Sequence, residues 1–174
     1  MALTIVATVG GASSNSFVTL AESETYMEGR LNVSLWTAAT DANKNIALVE
    51  ATRDLDVKEY LGNRVSATQS LSWPRDWAID PDDPNLDYFD TTEVPTRIKN
   101  ATCELAMQYI KAGTTDLAAL DSATNIKRKK VDVLETEYFA STSTPQGLGR
   151  YPRVMAYIRS LLAASGITTE TVRG

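Results

Sequence analysis

The stretch VPTRIKNATCELAMQYIKAG, residues 94–113, decides the fold class. Pro95 suits the first position of a helix, because its missing N–H would be unpaired there and its fixed φ is already helical. Beyond it, Ile98, Ala101, Cys103, Leu105, Ala106, Met107, Tyr109 and Ile110 occupy most of a helical circumference, and Gly113 is a natural stop. A helix that is apolar on nearly every side belongs inside a bundle. These residues therefore predict a mainly α fold with this helix at its centre.

Further helices are expected on either side. Thr19-Leu20-Ala21-Glu22 reads as a capping box opening a helix to about Arg30. Leu31 to Ala39, with Trp36, reads as a connection. Thr40-Asp41 then caps a helix from 41 to about 59, whose apolar face holds Ile46, Ala47, Leu48, Val49, Ala51 and Leu55. Lys44, Glu50, Arg53, Asp54 and Lys58 form its wet side, and Gly62 is the expected stop. Near the other end, Pro152 opens a last helix with Val154, Tyr157, Ile158, Leu161 and Leu162 at i, i+3, i+4, i+7 and i+8 spacing, and Gly166 lies past its end.

Between these helices lie irregular segments. Residues 1–16 become rich in Gly and Ser and read as an extended, flexible N-terminal arm. Residues 63–94 show no sustained period, carry Pro74, Pro81 and Pro84, and crowd Asp80, Asp82, Asp83, Asp87 and Asp90 into one half. Trp73, Trp77, Tyr88 and Phe89 imply that this acidic loop packs on something. A short helical turn is expected at 115–120. Residues 126–139 alternate and suit one or two strands, and 141–149 is a linker by composition. The expected architecture is a helical bundle of about four helices with a small β-hairpin or extended insert and a long irregular loop. Its core spans 17–140, and 141–174 supplies a linker and a C-terminal helix for partner docking.

Composition excludes several function classes. The 174 residues are 43% apolar and 22% charged, as in an ordinary globular chain. A net charge of -5 gives no overall field for phosphate, so any nucleic-acid contact must be local. Met1 to Val9 is too short and lacks the basic flank of a signal peptide or membrane span, so no membrane contact is expected. With no histidine and one cysteine, Cys103, the usual general base, zinc ligands and Ser-His or Cys-His pairs are missing. No catalytic residue, metal site or cofactor is expected, and the chain does not read as an enzyme.

Three clusters remain. The aspartates of the acidic loop lack the order and distal glutamate of a calcium-binding loop, and read as a solvated loop or the partner of a basic surface. Lys127, Arg128, Lys129 and Lys130 form the only dense basic patch, with Tyr138 and Phe139 nearby. That pattern fits single-strand stacking and phosphate contact, a charged strand edge, or a contact with an acidic subunit. Glu22 with Glu24, and Glu135 with Glu137, carry no supporting cleft signature for glycosidase chemistry.

Several stretches in order resemble a known family. Asn15-Ser16-Phe17-Val18-Thr19-Leu20-Ala21-Glu22 with Tyr26 is similar to an opening "NSYVS-x-AEA-x-x-Y". Trp36, the run Ala47 to Asp56, and Gln69-Ser70-Leu71-Ser72-Trp73-Pro74-Arg75 follow. Val94 to Ala106 is similar to "IP-x-x-IK-x-A-x-CELA", and Lys129 to Tyr138 and Tyr151-Pro152 complete the order. One departure is Lys130-Val131-Asp132, where relatives often carry a glycine. The family is that of tailed-phage head-to-tail adaptor, connector or head-completion proteins, some catalogued as DnaT-like single-stranded-DNA-binding proteins. The resemblance implies a structural virion protein in a homo-oligomeric, twelvefold ring between the portal protein and a tail, stopper or tail-completion protein, with transient DNA contact in the channel. It places the chain at the head-to-tail junction, and in the host cytoplasm during assembly. The candidate portal or subunit interface is Tyr151, Val154, Tyr157, Ile158 and Leu161. The alternative is a single-stranded-DNA-binding replication accessory acting through Lys127 to Lys130.

Overall fold

The structure is a computed structural model that describes residues 3–113, 128–131, 134–137 and 147–163. The turn expected at 115–120, the linker at 141–146, Lys127, Tyr138, Phe139 and the stop at Gly166 lie outside the described residues. The fold is mainly helical. Its helices are α1 (Leu20–Glu28), α2 (Ser34–Ala38), α3 (Asp41–Asp56), α4 (Thr96–Ala112) and α5 (Pro152–Ile158). Two antiparallel ribbons accompany them: β1 (Asn63–Arg64) with β2 (Arg75–Asp76), and β3 (Arg128–Val131) with β4 (Leu134–Glu137).

Helix α4 is central, as its apolar circumference requires. It packs most extensively on α3 and α5 and also meets α1 and α2. Ile98, Ala101, Leu105, Ala106 and Met107 are buried against Leu48, Leu55, Ile158 and Leu161. Each large aliphatic side chain so buried contributes about 1.5–3 kcal/mol relative to exposure. Pro95 stands one position earlier than expected, as the N-cap with ψ 139, and its carbonyl accepts from Ile98 and Lys99. Gly113 ends the helix at φ +68, and its N–H returns to the Tyr109 carbonyl at 2.9 Å. That left-handed conformation costs glycine little.

The helix starts are set locally. The Thr19 hydroxyl accepts from the Glu22 N–H at 3.1 Å while Glu22 accepts from the Thr19 N–H at 2.8 Å, closing the capping box. The Thr40 hydroxyl accepts from the Asn43 N–H at 3.3 Å. Helix α3 stops at Asp56, short of Gly62. Gly62 instead underlies the β1–β2 ribbon at φ +73, where a Cβ would lie 2.2 Å from the Asp76 carbonyl oxygen.

Other expectations are corrected. Leu31 to Ala39 contains α2, a single turn and a half that turns Trp36 into the core. Lys44 is not on a wet face. Its stem is buried, its ammonium meets Glu24 Oε1 at 2.7 Å and lies 5.8 Å from the Trp36 ring. Ile46, assigned to the apolar face, is exposed.

Residues 3–16 are not an extended arm. The Asn15 N–H donates to the Val6 carbonyl at 2.8 Å, its side-chain oxygen accepts from the Val6 N–H at 2.8 Å, and its amide donates to the Thr4 carbonyl at 3.0 Å. Ser70 ties the loop down through Gly11 and Ser14. These bonds, with Ile5 packed against the core, hold the segment on the body of the fold.

The C-terminal helix packs on the body of the fold. Val154, Ile158 and Leu161 are at most 1% exposed, packed in the core beside α4. Past α5 the chain pairs with the segment after α3, the Leu61 N–H donating to Leu161 and the Ala163 N–H to Glu59, both at 2.9 Å.

Candidate functional site

The residues that carry the sequence pattern converge inside the fold. Glu104 of α4 is 1% exposed, and three side chains from elsewhere in the fold satisfy its carboxylate. Tyr26 of α1 donates its hydroxyl to Oε1 at 2.6 Å, Arg30 donates to Oε2 at 2.9 Å, and Arg153 of α5 approaches Oε1 at 3.4 Å. The Tyr157 hydroxyl lies 3.3 Å from that of Tyr26. Burial, with the Glu104 carboxylate beside it, raises the Tyr26 phenol above its ordinary value, so it stays a donor. A buried charge held this way locks α1, α4 and α5 in one register.

The other motif residues are joints of the same kind. Glu24 accepts from Trp36 Nε1 and from Lys44, joining α1, α2 and α3. The Thr52 hydroxyl accepts from the Phe17 N–H at 3.2 Å. Tyr109 donates to the Asp54 carboxylate, whose own pKa is raised by burial. Asp56 accepts from the Ser72 N–H at 2.5 Å. Arg75 donates to the carbonyls of Tyr60, Leu61, Gly62 and Ser72, so one guanidinium organises the turn before β1. Sequence inspection missed Glu104 as a buried ion. The available signal was a lone acid at an otherwise apolar position.

The basic cluster lies on the β3–β4 hairpin. Its register sets Arg128 opposite Glu137, Lys129 opposite Thr136, Lys130 opposite Glu135 and Val131 opposite Leu134. Two of the three cations in the strand therefore occupy positions across from acids, an arrangement that stabilises an antiparallel pair. Lys129 stands across from Thr136.

The acidic loop folds back on itself as a short ribbon closed by a single bridge. Asp80 donates its N–H to the Asp87 carbonyl at 2.8 Å, Phe89 donates to Ala78 at 2.9 Å, and Ile79 bridges Tyr88. Asp80, Asp83 and Asp90 each accept a backbone N–H two residues on, at 2.7–2.9 Å. Asp82 pairs with Arg97, which holds its carboxyl below the usual range. Trp73 and Phe89 pack inward at 5.6 Å, whereas Trp77 and Tyr88 face solvent in edge-to-face contact at 5.2 Å.

Of the sequence-predicted interface residues, Val154, Ile158 and Leu161 are core, and Tyr151 and Tyr157 are half-buried against it. An open groove of about 510 Å³ lies elsewhere, lined by Leu35, Ala39, Ile46, Tyr109, Ile110 and Gly113. Among the described residues no three His, Cys, Asp or Glu side chains are grouped to hold a metal ion, and no helix is long and apolar enough to cross a membrane.

Family comparison matches residues 1–174 to the family described as "Putative DnaT-like ssDNA binding protein". The chain belongs to that family. No curated protein and no solved structure matches it.

Proposed function

We propose that this protein has a binding role, not a catalytic one, and contacts single-stranded DNA locally through the Arg128–Glu137 hairpin. The observation that carries this reading is the family match over the whole chain, and the hairpin holds the densest basic run in the sequence. The folded body supports a local contact. Between residues 3 and 113 there are sixteen carboxylates and nine basic side chains, and Arg30, Lys44, Arg53, Arg97 and Lys99 are already in ion pairs. That surface repels a phosphate backbone, so a contact would concentrate on locally basic segments, of which the hairpin run is the densest. The test is fluorescence anisotropy with labelled oligo(dT) at low salt. Binding that weakens tenfold or more when Arg128, Lys129 and Lys130 become glutamine supports the reading, and no binding by the unaltered protein overturns it.

A second reading is a head-to-tail adaptor: a cyclic homo-oligomer between portal and tail of a tailed phage, resident in the virion. The same acidic body favours it, together with the exposed Trp77, Leu86 and Tyr88, since these suit protein contacts better than DNA. Electron microscopy of intact particles tests it. Density for this fold at the portal-to-tail junction supports it, and a junction built without this fold refutes it.

A further inference from the structure

The 76–90 ribbon keeps outside what the rest of the chain buries. Trp77, Ile79, Leu86 and Tyr88 are 59%, 42%, 63% and 52% exposed, four large apolar side chains within twelve residues. Immediately beside them Trp73 is 2% exposed, so the segment can bury an indole where packing allows. Trp77 and Leu86 are held at φ +60 and +57, and the Trp77 ring is braced by Tyr88. Six aspartates, at 76, 80, 82, 83, 87 and 90, are interspersed with these side chains, and the ribbon from 76 to 90 holds no basic residue.

The aromatic pair alone would suit a stacked nucleobase. The aspartates argue against it. Asp82 is paired with Arg97, but the remaining acids leave the ribbon negatively charged, which opposes an incoming phosphate backbone. They attract the opposite charge, and the exposed faces of Trp77 and Tyr88 add cation–π attraction for a lysine or arginine. Exposed apolar side chains interspersed with acids match a partner that brings apolar and cationic side chains together.

We infer that the Trp77/Tyr88 face of this ribbon is a docking surface for a basic, apolar polypeptide segment of another protein. This surface is separate from the basic hairpin, and it does not depend on DNA contact there.

The probe is a fluorescein-labelled twelve-residue peptide of alternating lysine and leucine, with an alternating glutamate and leucine peptide as control, titrated with the full chain. Two variants keep the ribbon intact. Trp77→Gly suits the positive φ, and the triple variant Asp80→Asn, Asp83→Asn, Asp90→Asn retains the side-chain oxygen that caps each of these turns. The expected result is binding of the basic peptide only, weakened at least tenfold by either variant, with oligo(dT) affinity and sedimentation unchanged in Trp77→Gly. Equal binding of both peptides, or affinity unchanged in both variants, overturns the inference. Loss of oligo(dT) binding in Trp77→Gly would assign the face to DNA, and loss of self-association would assign it to a second copy; either result also overturns it.

Discussion

Replacing Glu104 by glutamine removes the charge at the centre of the fold while keeping an oxygen for Tyr26. In the folded chain Glu104 is 1% exposed, whereas the side chains of its partners Arg30 and Arg153 are 22% and 58% exposed. Breaking a fully buried ion pair costs about 3–5 kcal/mol. Here both guanidiniums keep access to water, so the loss should be smaller, about 1.5–3 kcal/mol, most of it from the charge-assisted bond to Arg30. For a chain of this size that corresponds to a fall in Tm of roughly 3–12 °C. Urea unfolding followed by circular dichroism measures it, and an unchanged m-value would show that the denatured state is unaffected. Tyr26→Phe should lose about 1 kcal/mol and couple to Glu104→Gln in a double-mutant cycle by at least about 0.5 kcal/mol. A glutamine variant within about 0.5 kcal/mol of the parent, or strictly additive effects, would refute the claim that this cluster locks α1, α4 and α5.

Further outcomes follow from single contacts. Thr19→Ala opens the capping box of α1 and should cost about 1 kcal/mol, seen as a modest fall in Tm. Gly62→Ala puts a methyl 2.2 Å from a carbonyl oxygen at positive φ, so soluble folded yield should collapse, whereas Gly113→Ala, with open space around it, should lose only about 1–2 kcal/mol. Burial pushes the Cys103 thiol up to about 12, and the nearby Glu104 adds to the shift. The native thiol should therefore resist alkylation at pH 8 and react freely in urea. Burial also raises Tyr26, Tyr60 and Tyr109. All four groups hold their protons more tightly when folded, so their contribution is intact below the unfolded values near 9 and 10. It is lost as pH rises beyond them. Melting curves from pH 8 to 11 should show Tm falling from about pH 9 upward, and a flat profile would contradict the burial of these groups.

What the sequence revealed were interactions that close within a few residues. The Thr19–Glu22 box, the Thr40 cap and the Pro95 and Gly113 ends of α4 depend on neighbours three or four positions away, and each lies within a residue or two of its expected place. Helix α2 is too short to display a period, so Trp36 gave no sign that it entered the core. The loop over 3–16 is fixed by bonds spanning up to 59 residues, which no local pattern reports. Lys44 looked solvated because charge was read without its long apolar stem. The stripe of Val154, Ile158 and Leu161 correctly signalled a buried face, but a stripe does not say whether its cover is a partner or, as here, the chain's own α4. Recognition of the family ran through Tyr26, Asp54, Glu104 and Arg75, which hold the fold together. The pattern therefore identified the architecture more sharply than it identified a binding surface.

Affinity for oligo(dT) as a function of salt tests the local DNA contact most directly. If one to three cations of β3 meet phosphates, log K should fall against log salt with a slope of about -0.7 to -2.1, weakening binding roughly three- to twentyfold between 50 and 200 mM. Changing Arg128, Lys129 and Lys130 to glutamine should flatten that slope towards zero. A slope that stays the same in the variant, or affinity indifferent to salt in the parent, would contradict a DNA contact made through this hairpin.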